Sequence, residues 1–314
     1  MATCLVTGGA GFVGSHLVER LVEEGEEVVV LDNFSTGKME NIQHLIGKVK
    51  LIEGDIRDCE VVRTAIKGVQ YVFHQAALRS VPMSVNDPGS FNEVNVSGTL
   101  NLLLAARAAN AKRVVFASSS SVYGGDIEAG CLLREDMRLQ PISPYAASKA
   151  AAEFYCHVFT KLYGLETVTL RYFNVFGARQ DPHSSYAAVV PAFIVKSLMD
   201  QSPIIFGDGL QSRDFTHVGN VVIANLNAAR LPGIGGMIFN VACGKQYTLL
   251  QLLDIINRLL GKQVKPLFFP PREGDVRHTL ADITLAKKHL GMDKLVDFEE
   301  GLKTTIQQFE CVSK

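Results

Sequence analysis

With 314 residues, 47% of them hydrophobic, and 31 Lys and Arg against 32 Asp and Glu, the chain has core enough for one large α/β unit or two smaller domains. Its net charge of -1 offers no general attraction to nucleic acid or to an anionic membrane, so small-molecule partners are expected. Six cysteines without CxxC spacing (Cys4, Cys59, Cys131, Cys156, Cys243, Cys311) point to buried free thiols in a reducing cytoplasm rather than to disulfides or a metal site, and no apolar run reaches ~18 residues, so neither a membrane span nor a signal peptide is expected.

Thr3 to Thr7 reads as a short buried strand, Gly8-Gly-Ala-Gly-Phe-Val-Gly14 as a turn, and Ser15 to Glu24 as a helix with apolar spacing at Leu17, Val18, Leu21 and Val22. Gly9, Gly11 and Gly14 satisfy G-x-G-x-x-G, and Gly8, Gly11 and Gly14 also give G-x-x-G-x-x-G. Either spacing lets backbone approach a pyrophosphate at a positive helix N-terminus, although such a motif alone is as often an ordinary tight turn. The next strand, Glu27 to Leu31, ends in Asp32, about twenty residues beyond the glycines, where a carboxylate can hold ribose hydroxyls. Asp32 would repel a 2'-phosphate and no arginine stands beside it, so NAD is expected over NADP. Lys38 has two readings, a solvated loop charge or a phosphate contact.

Val49 to Glu53 is a third strand, followed by Gly54-Asp55-Ile56, where Asp55 reads equally as a contact at the adenine end of a cofactor or as a helix cap. Val69 to His74 is a fourth strand closing in Gln75-Ala76-Ala77, small residues that let backbone lie against a ligand. Helical spacing runs from about 89 to 110, and Val114 to Ala117 is a fifth strand running into Ser118-Ser-Ser-Ser121, at the edge where doubly wound sheets bind ligands. After Gln140-Pro-Ile-Ser-Pro144, a helix from Tyr145 to about Leu162 carries Tyr145 and Lys149 on one face. A phenol titrates near pH ~10 and a neighbouring ammonium favours its phenolate, so this spacing suits a base, though by itself it is a common helix coincidence.

Thr167 to Arg171 is a further strand, ending in Tyr172-Phe-Asn174-Val-Phe-Gly177. Beyond it the strand–helix alternation loosens. His217 to Ala229 reads as a helix and Met237 to Val241 as a strand returning to the main sheet. The expected fold is a Rossmann-type doubly wound parallel sheet with a smaller α/β C-terminal lobe, the sheet domain covering 1–177 with 215–245, and the remainder of 178–314 forming the second lobe. A cleft between them is the default ligand site.

Thr7-Gly-Gly-Ala-Gly-Phe-Val-Gly14, Asp32, Ser119, Tyr145-x-x-x-Lys149 and Arg171-Tyr-Phe-Asn-Val-Phe-Gly177 together resemble the extended short-chain dehydrogenase/reductase family of nucleotide-sugar enzymes. The likeness covers the whole chain and is closest to the UDP-hexose 4-epimerase group, especially UDP-N-acetylglucosamine 4-epimerases, through Asp32-Asn-Phe-Ser-Thr-Gly37, His74-Gln-Ala-Ala77, the run ending Arg179-Gln-Asp-Pro182, and Arg272-Glu-Gly-Asp-Val-Arg-His278. The resemblance implies Tyr145 as base, Lys149 on the nicotinamide ribose, and Ser119 on the sugar 4-hydroxyl, with the C4 hydride passing to NAD to leave a bound 4-keto sugar. It implies cofactor contacts from Gly8, Gly11, Phe12, Val13, Gly14, Asp32, Asn33, Ser35, Gly37, Asp55, Ile56, Ala76, Ala77 and Tyr172, besides Tyr145 and Lys149. For the UDP-sugar it implies Asn174, the main chain of Ala188 and Val189, Arg213 and Arg272 on the diphosphate, Asp275 on the uridine ribose, and Ser80 and Ser120 near the sugar.

Dehydrating relatives carry an Asp-Glu pair after the catalytic hydroxyl, and decarboxylating ones a Glu, where this chain has Ser120 and Ser121; epimerisation alone is therefore expected. Thr279 matches a gate position where Tyr restricts epimerases to plain hexoses, which implies UDP-GlcNAc/UDP-GalNAc as substrates, with some activity on UDP-Glc/UDP-Gal. Arg79 departs from the pattern, standing where acetamido-type relatives have Gly and simple-hexose relatives Lys. The alternatives are a UDP-glucuronate 4-epimerase and a nonenzymatic NAD(H)-binding sensor. By analogy a homodimer is expected through the helices near 89 to 110 and 145 to 162.

Overall fold

Short apolar runs alternating with amphipathic helices bury both faces of every strand only when the strands form a parallel sheet covered by helices. The computed structural model, which describes residues 1–125, 130–182, 188–271 and 276–312 (side chains of 311 and 312 excepted), has that arrangement. β1 (Thr3–Thr7) leads through α1 (Phe12–Glu23) to β2 (Glu27–Asp32) and β3 (Lys50–Glu53). α2 (Cys59–Ala65), β4 (Tyr71–His74), α3 (Val81–Asn86), α4 (Pro88–Asn92), α5 (Gly98–Ala108), β5 (Arg113–Ser119), α6 (Pro144–Tyr163) and β6 (Glu166–Tyr172) follow. Then come β7 (Val175–Phe176), α7 (Val189–Leu198), β8 (Ile204–Phe206), β9 (Ser212–Asp214), β10 (Thr216–His217), α8 (Val218–Arg230) and β11 (Ile238–Val241). The chain closes with β12 (Gln246–Thr248), α9 (Leu249–Leu260), β13 (Leu267–Phe269), α10 (Thr284–Leu290) and α11 (Phe298–Val312).

The central sheet has seven strands in the order β11-β6-β5-β4-β1-β2-β3, all parallel. Chain order therefore reverses between β1 and β4, and a crevice opens beyond the carboxyl ends of strands at such a switch point. One core packs Leu17, Val18 and Leu21 of α1 and Val221 and Leu226 of α8 against one sheet face; a second packs Val62, Leu102, Leu103 and Phe159 against the other. A third joins Phe193 of α7, Leu252 of α9 and Leu302 of α11 around Phe215 and Phe298, away from the sheet. Among the described residues no helix is long and apolar enough to cross a membrane.

Two elements differ from expectation. α1 begins at Phe12 rather than Ser15, so Gly14 lies in its first turn. The helix expected over 89 to 110 is present from Pro88 to Ala108 but is not α-helical throughout: a π turn at Glu93–Ser97 joins α4 to α5 without leaving helical backbone. The thiols are also less uniformly buried than expected, since Cys4 and Cys156 are buried but Cys59 and Cys131 are exposed.

Candidate active site

The glycines of the first turn are required by contact distances. A Cβ on Gly14 would sit 2.1 Å from the Gly8 carbonyl oxygen, and one on Gly8, whose φ is +67°, would sit 2.7 Å from the Ala76 amide nitrogen. The β1–α1 turn is thus pressed against the end of β4. α1 has Gly11 at its N-cap with no side-chain cap, so its first amides are left for a ligand. They open into a cleft of about 410 Å³ whose wall includes Gly8, Gly11, Phe12, Val13 and Gly14. That volume falls within the range of ~300–1,000 Å³ usual for small-molecule pockets.

At the end of β2 the buried Asp32 carboxylate accepts from the Ala10 amide at 2.8 Å and from the Phe34 amide at 2.9 Å. Burial pushes its pKa up and those two bonds pull it back. Each carboxylate oxygen keeps a further lone pair for a ribose hydroxyl. Gly37 closes over it, since a Cβ there would lie 2.8 Å from Asp32 Oδ1. Asn33 donates to Asp55 at 2.8 Å and accepts from Ser35, giving a continuous polar rim. Hydrogen bonding from Arg57 holds the Asp55 carboxyl down at about 2. Of the two readings of Asp55, the helix cap falls to Asp58, which caps α2. Of the two readings of Lys38, the solvated loop charge fits: its side chain is half exposed and pairs with Asp181 at 3.2 Å.

At the opposite end of the cleft, the side chain of Ser143 caps α6 and Pro144 starts it, placing Tyr145 and Lys149 one turn apart on its buried face. Ser119, at the last position of β5, lines the same cleft. Burial pushes the Tyr145 phenol up, while a hydrogen bond with the Ser119 hydroxyl and the Arg79 charge lower it. Lys149 Nζ donates to the Ala117 carbonyl at 2.9 Å and lies 5.0 Å from the centre of the Phe116 ring. Burial lowers its pKa to about 8, opposed by Glu153. The helix spacing that brings Tyr145 and Lys149 to one face thus leaves the ammonium bonded to β5, and in the protein alone Ser119 and Arg79 are the groups that ease ionisation of the phenol.

Beneath this end lies a buried polar layer. Arg171, 2% exposed, donates to Glu153, 3% exposed, at 2.7 Å through Nη2 and 3.0 Å through Nε. The Ser118 hydroxyl donates to the same carboxylate, and Arg171 reaches the Tyr123 hydroxyl at 2.9 Å. Glu153 is one turn beyond Lys149 and Ser118 lies between Ala117 and Ser119, so the pair braces both flanks of the Ser119, Tyr145 and Lys149 group. The π turn has a similar use: Asn95 accepts from the Leu78 amide, and its Nδ2 donates to the Leu78 carbonyl and to Ser148 Oγ, each at 2.9 Å. It ties the loop after β4 to α6.

All the positions expected to touch the cofactor line this cleft, as do Ser119, Ser120, Asn174 and Ala188. Four sugar-side positions do not. The Ser80 side chain caps α3 by accepting from the Met83 amide. Val189 starts α7, one residue past the lining Ala188. Arg213 on β9 donates to the carbonyls of Ser212 and Arg277. Thr279 is buried behind Asn174, accepting from its Nδ2 at 3.2 Å. Arg272 and Asp275 lie outside the described residues. Sequence reasoning gave no role to Leu78, Val81, Val94 or Gln180, or to the side chain of Gln75, which also line the cleft. Gln75 and Gln180 stand inside runs already singled out, and a polar residue there was the available signal.

A glycine cradle at a helix N-terminus, a buried carboxylate at the end of β2 and a Ser-Tyr-Lys group at the switch point together mark a dinucleotide-dependent enzyme of the doubly wound class. The chain belongs to the NAD dependent epimerase/dehydratase family, whose match spans residues 4–242, and its cofactor is NAD. A UDP-glucose 4-epimerase from Mycolicibacterium smegmatis is 40% identical over 314 residues, covering 99% of both chains. Among solved structures, a UDP-N-acetylglucosamine 4-epimerase from Methanobrevibacter ruminantium in complex with UDP-N-acetylmuramic acid is 41% identical with a TM-score of 0.93, covering 99% of each chain. A UDP-glucuronic acid 4-epimerase from Bacillus cereus in complex with UDP-glucuronic acid and NAD is 30% identical with a TM-score of 0.91, also over 99% of each chain.

Proposed function

We propose that the chain, an NAD-dependent UDP-sugar 4-epimerase, interconverts UDP-GlcNAc and UDP-GalNAc and accepts UDP-Glc and UDP-Gal more slowly. NAD, when bound, supplies reversible hydride acceptance at the sugar C4. Tyr145 takes the 4-hydroxyl proton at its phenol oxygen, holds it while the sugar is a 4-ketone, and gives it back to that oxygen as the hydride returns to one or the other face of C4. Ser119 hydrogen-bonds the reacting oxygen, and Lys149 holds the nicotinamide ribose and offsets the phenolate charge. Gly8 to Gly14 and Asp32 carry the rest of the cofactor.

The observation that carries this reading is the composition of the reacting end. Ser119, Ser120 and Ser121 line it, and the carboxylates on the described cleft wall, Asp32 and Asp55, belong to the end of β2 and the loop after β3. No acid–base pair for water loss stands beside Tyr145 among the described residues. The acetamido preference rests on the short side chain of Thr279 behind Asn174, and the Methanobrevibacter ruminantium enzyme supports it. Incubation with UDP-GlcNAc, UDP-Glc and UDP-glucuronate, with C4 epimers resolved by chromatography, tests it. UDP-GlcNAc is expected to turn over fastest, and Thr279→Tyr, which crowds Asn174 toward the sugar, is expected to depress UDP-GlcNAc turnover relative to UDP-Glc by about tenfold. An unchanged ratio removes the gate argument.

A second reading, C4 epimerisation of UDP-glucuronate, is favoured by Arg79, an exposed cation on the cleft wall with no ion pair among the described residues. A preference for UDP-glucuronate in the same assay would select it. In either case residues 1–177 with 215–245 act as the cofactor domain and the remainder as the nucleotide-sugar lobe. The protein is read as a homodimer through α5 and α6: Phe154, Val158 and Leu162, at successive turns of α6, are 63%, 38% and 73% exposed, and Leu104 of the adjoining α5 is 49% exposed. Phe154→Glu with Leu162→Lys is expected to halve the particle mass by sedimentation; an unchanged mass contradicts that interface.

A further inference from the structure

The run after Asn174 puts one more side chain into the cleft. Gln180 is 4% exposed and lines the wall with Asn174, Val175 and Ala188. Its Nε2 donates to the Val175 carbonyl at 3.1 Å, and its Oε1 is buried with no hydrogen-bond partner among the described residues. The orientation is chemically determined, because a flipped amide would set its oxygen against the Val175 carbonyl and bury an unpaired NH₂. The segment is also fixed from outside. His16 on α1 bonds the Ala178 carbonyl at 2.9 Å, and Arg179 bonds Glu19 at 2.7 Å, so Gln180 is held against the cleft from the flank of the helix that bears the glycine cradle.

A buried amide oxygen left without a donor is costly, and native proteins keep few of them outside functional sites. We propose that Gln180 is a ligand-binding residue whose Oε1 accepts a hydrogen bond from a hydroxyl or amide N–H of a molecule bound in the cleft. A glutamine neither takes nor gives protons in the working pH range, so the contact orients the ligand. Both the cofactor and a UDP-sugar carry such donors; the inference rests on the proposed function only in taking these two as the ligands.

Two apolar replacements, Gln180→Leu and Gln180→Met, test it in the full-length enzyme. Calorimetry gives the NAD affinity, steady-state kinetics gives KM and kcat for the UDP-sugar the wild type turns over best, and the ligand-free melting temperature is measured alongside. Loss of one neutral hydrogen bond predicts a weakening of about two- to tenfold. It falls on KM if the donor is on the sugar and on the NAD dissociation constant if it is on the cofactor. The melting temperature should hold, because each variant removes an unsatisfied acceptor together with one bond. Unchanged affinity for both ligands overturns the proposal, as does a loss that appears only alongside a lowered melting temperature in both variants, which assigns Gln180 to packing. Failure of UDP-GlcNAc as a substrate would reject the proposed sugar while leaving the NAD measurement decisive for this residue.

Discussion

Tyr145→Phe is expected to lower epimerisation by at least about 10²–10⁴-fold, the usual contribution of a positioned acid–base group, while leaving NAD bound. The phenol oxygen is the one lost atom, and the surrounding packing survives: the ring meets Phe91 edge-on with centroids 6.3 Å apart, and Phe keeps that contact. The α6 cap at Ser143 and the Lys149 bond to Ala117 do not involve the phenol oxygen. Cofactor content measured by absorbance after denaturation should therefore match wild type while turnover disappears. Full turnover in the variant would remove Tyr145 from the mechanism, and loss of NAD together with turnover would make its role one of cofactor binding.

The largest effect on stability is expected from Arg171→Met. Arg171 and Glu153 are both almost wholly buried, so removing the guanidinium leaves a carboxylate stranded in the sheet–helix interface. Breaking a buried pair from one side costs about 3–5 kcal/mol. The same substitution strips a donor from Tyr123, whose hydroxyl is otherwise tied to Asn240 at 2.6 Å. Urea unfolding should show a much lower midpoint with an unchanged slope. Glu153→Leu combined with Arg171→Met should recover part of that loss, since an apolar pair of similar volume removes the stranded charge. A single variant as stable as wild type would mean that water or a rearranged side chain compensates Glu153, and the bracing attributed to this pair would not hold.

These predictions separate two kinds of information in the chain. Gly8, Gly11 and Gly14, Asp32 and the Tyr145 to Lys149 spacing were legible without coordinates because each depends on neighbours within a turn or at a strand end. Strand-length apolar runs interrupted by helical spacing likewise implied a doubly wound parallel sheet, whose strand order the structure then supplied. Thr279 and Arg213 show where that reasoning stops: they stand in expected runs, yet Thr279 is buried behind Asn174 and Arg213 spends donors on backbone carbonyls. No local pattern says which way such side chains turn.

By itself, then, the sequence determined the doubly wound sheet, the glycine turn between β1 and α1 and the placing of Tyr145 and Lys149 on one helix face, because backbone sterics and periodicity act over a few residues. Only the tertiary structure decided that the Lys149 ammonium bonds Ala117, that Glu153 and Arg171 brace the end of β5 from beneath, that a π turn presents Asn95 to Leu78, and that Gln180 Oε1 faces no donor among the described residues. Each of these depends on partners brought together by packing from distant parts of the chain, and hydrogen-bond satisfaction in a buried site is a property of the assembled neighbourhood rather than of any one segment.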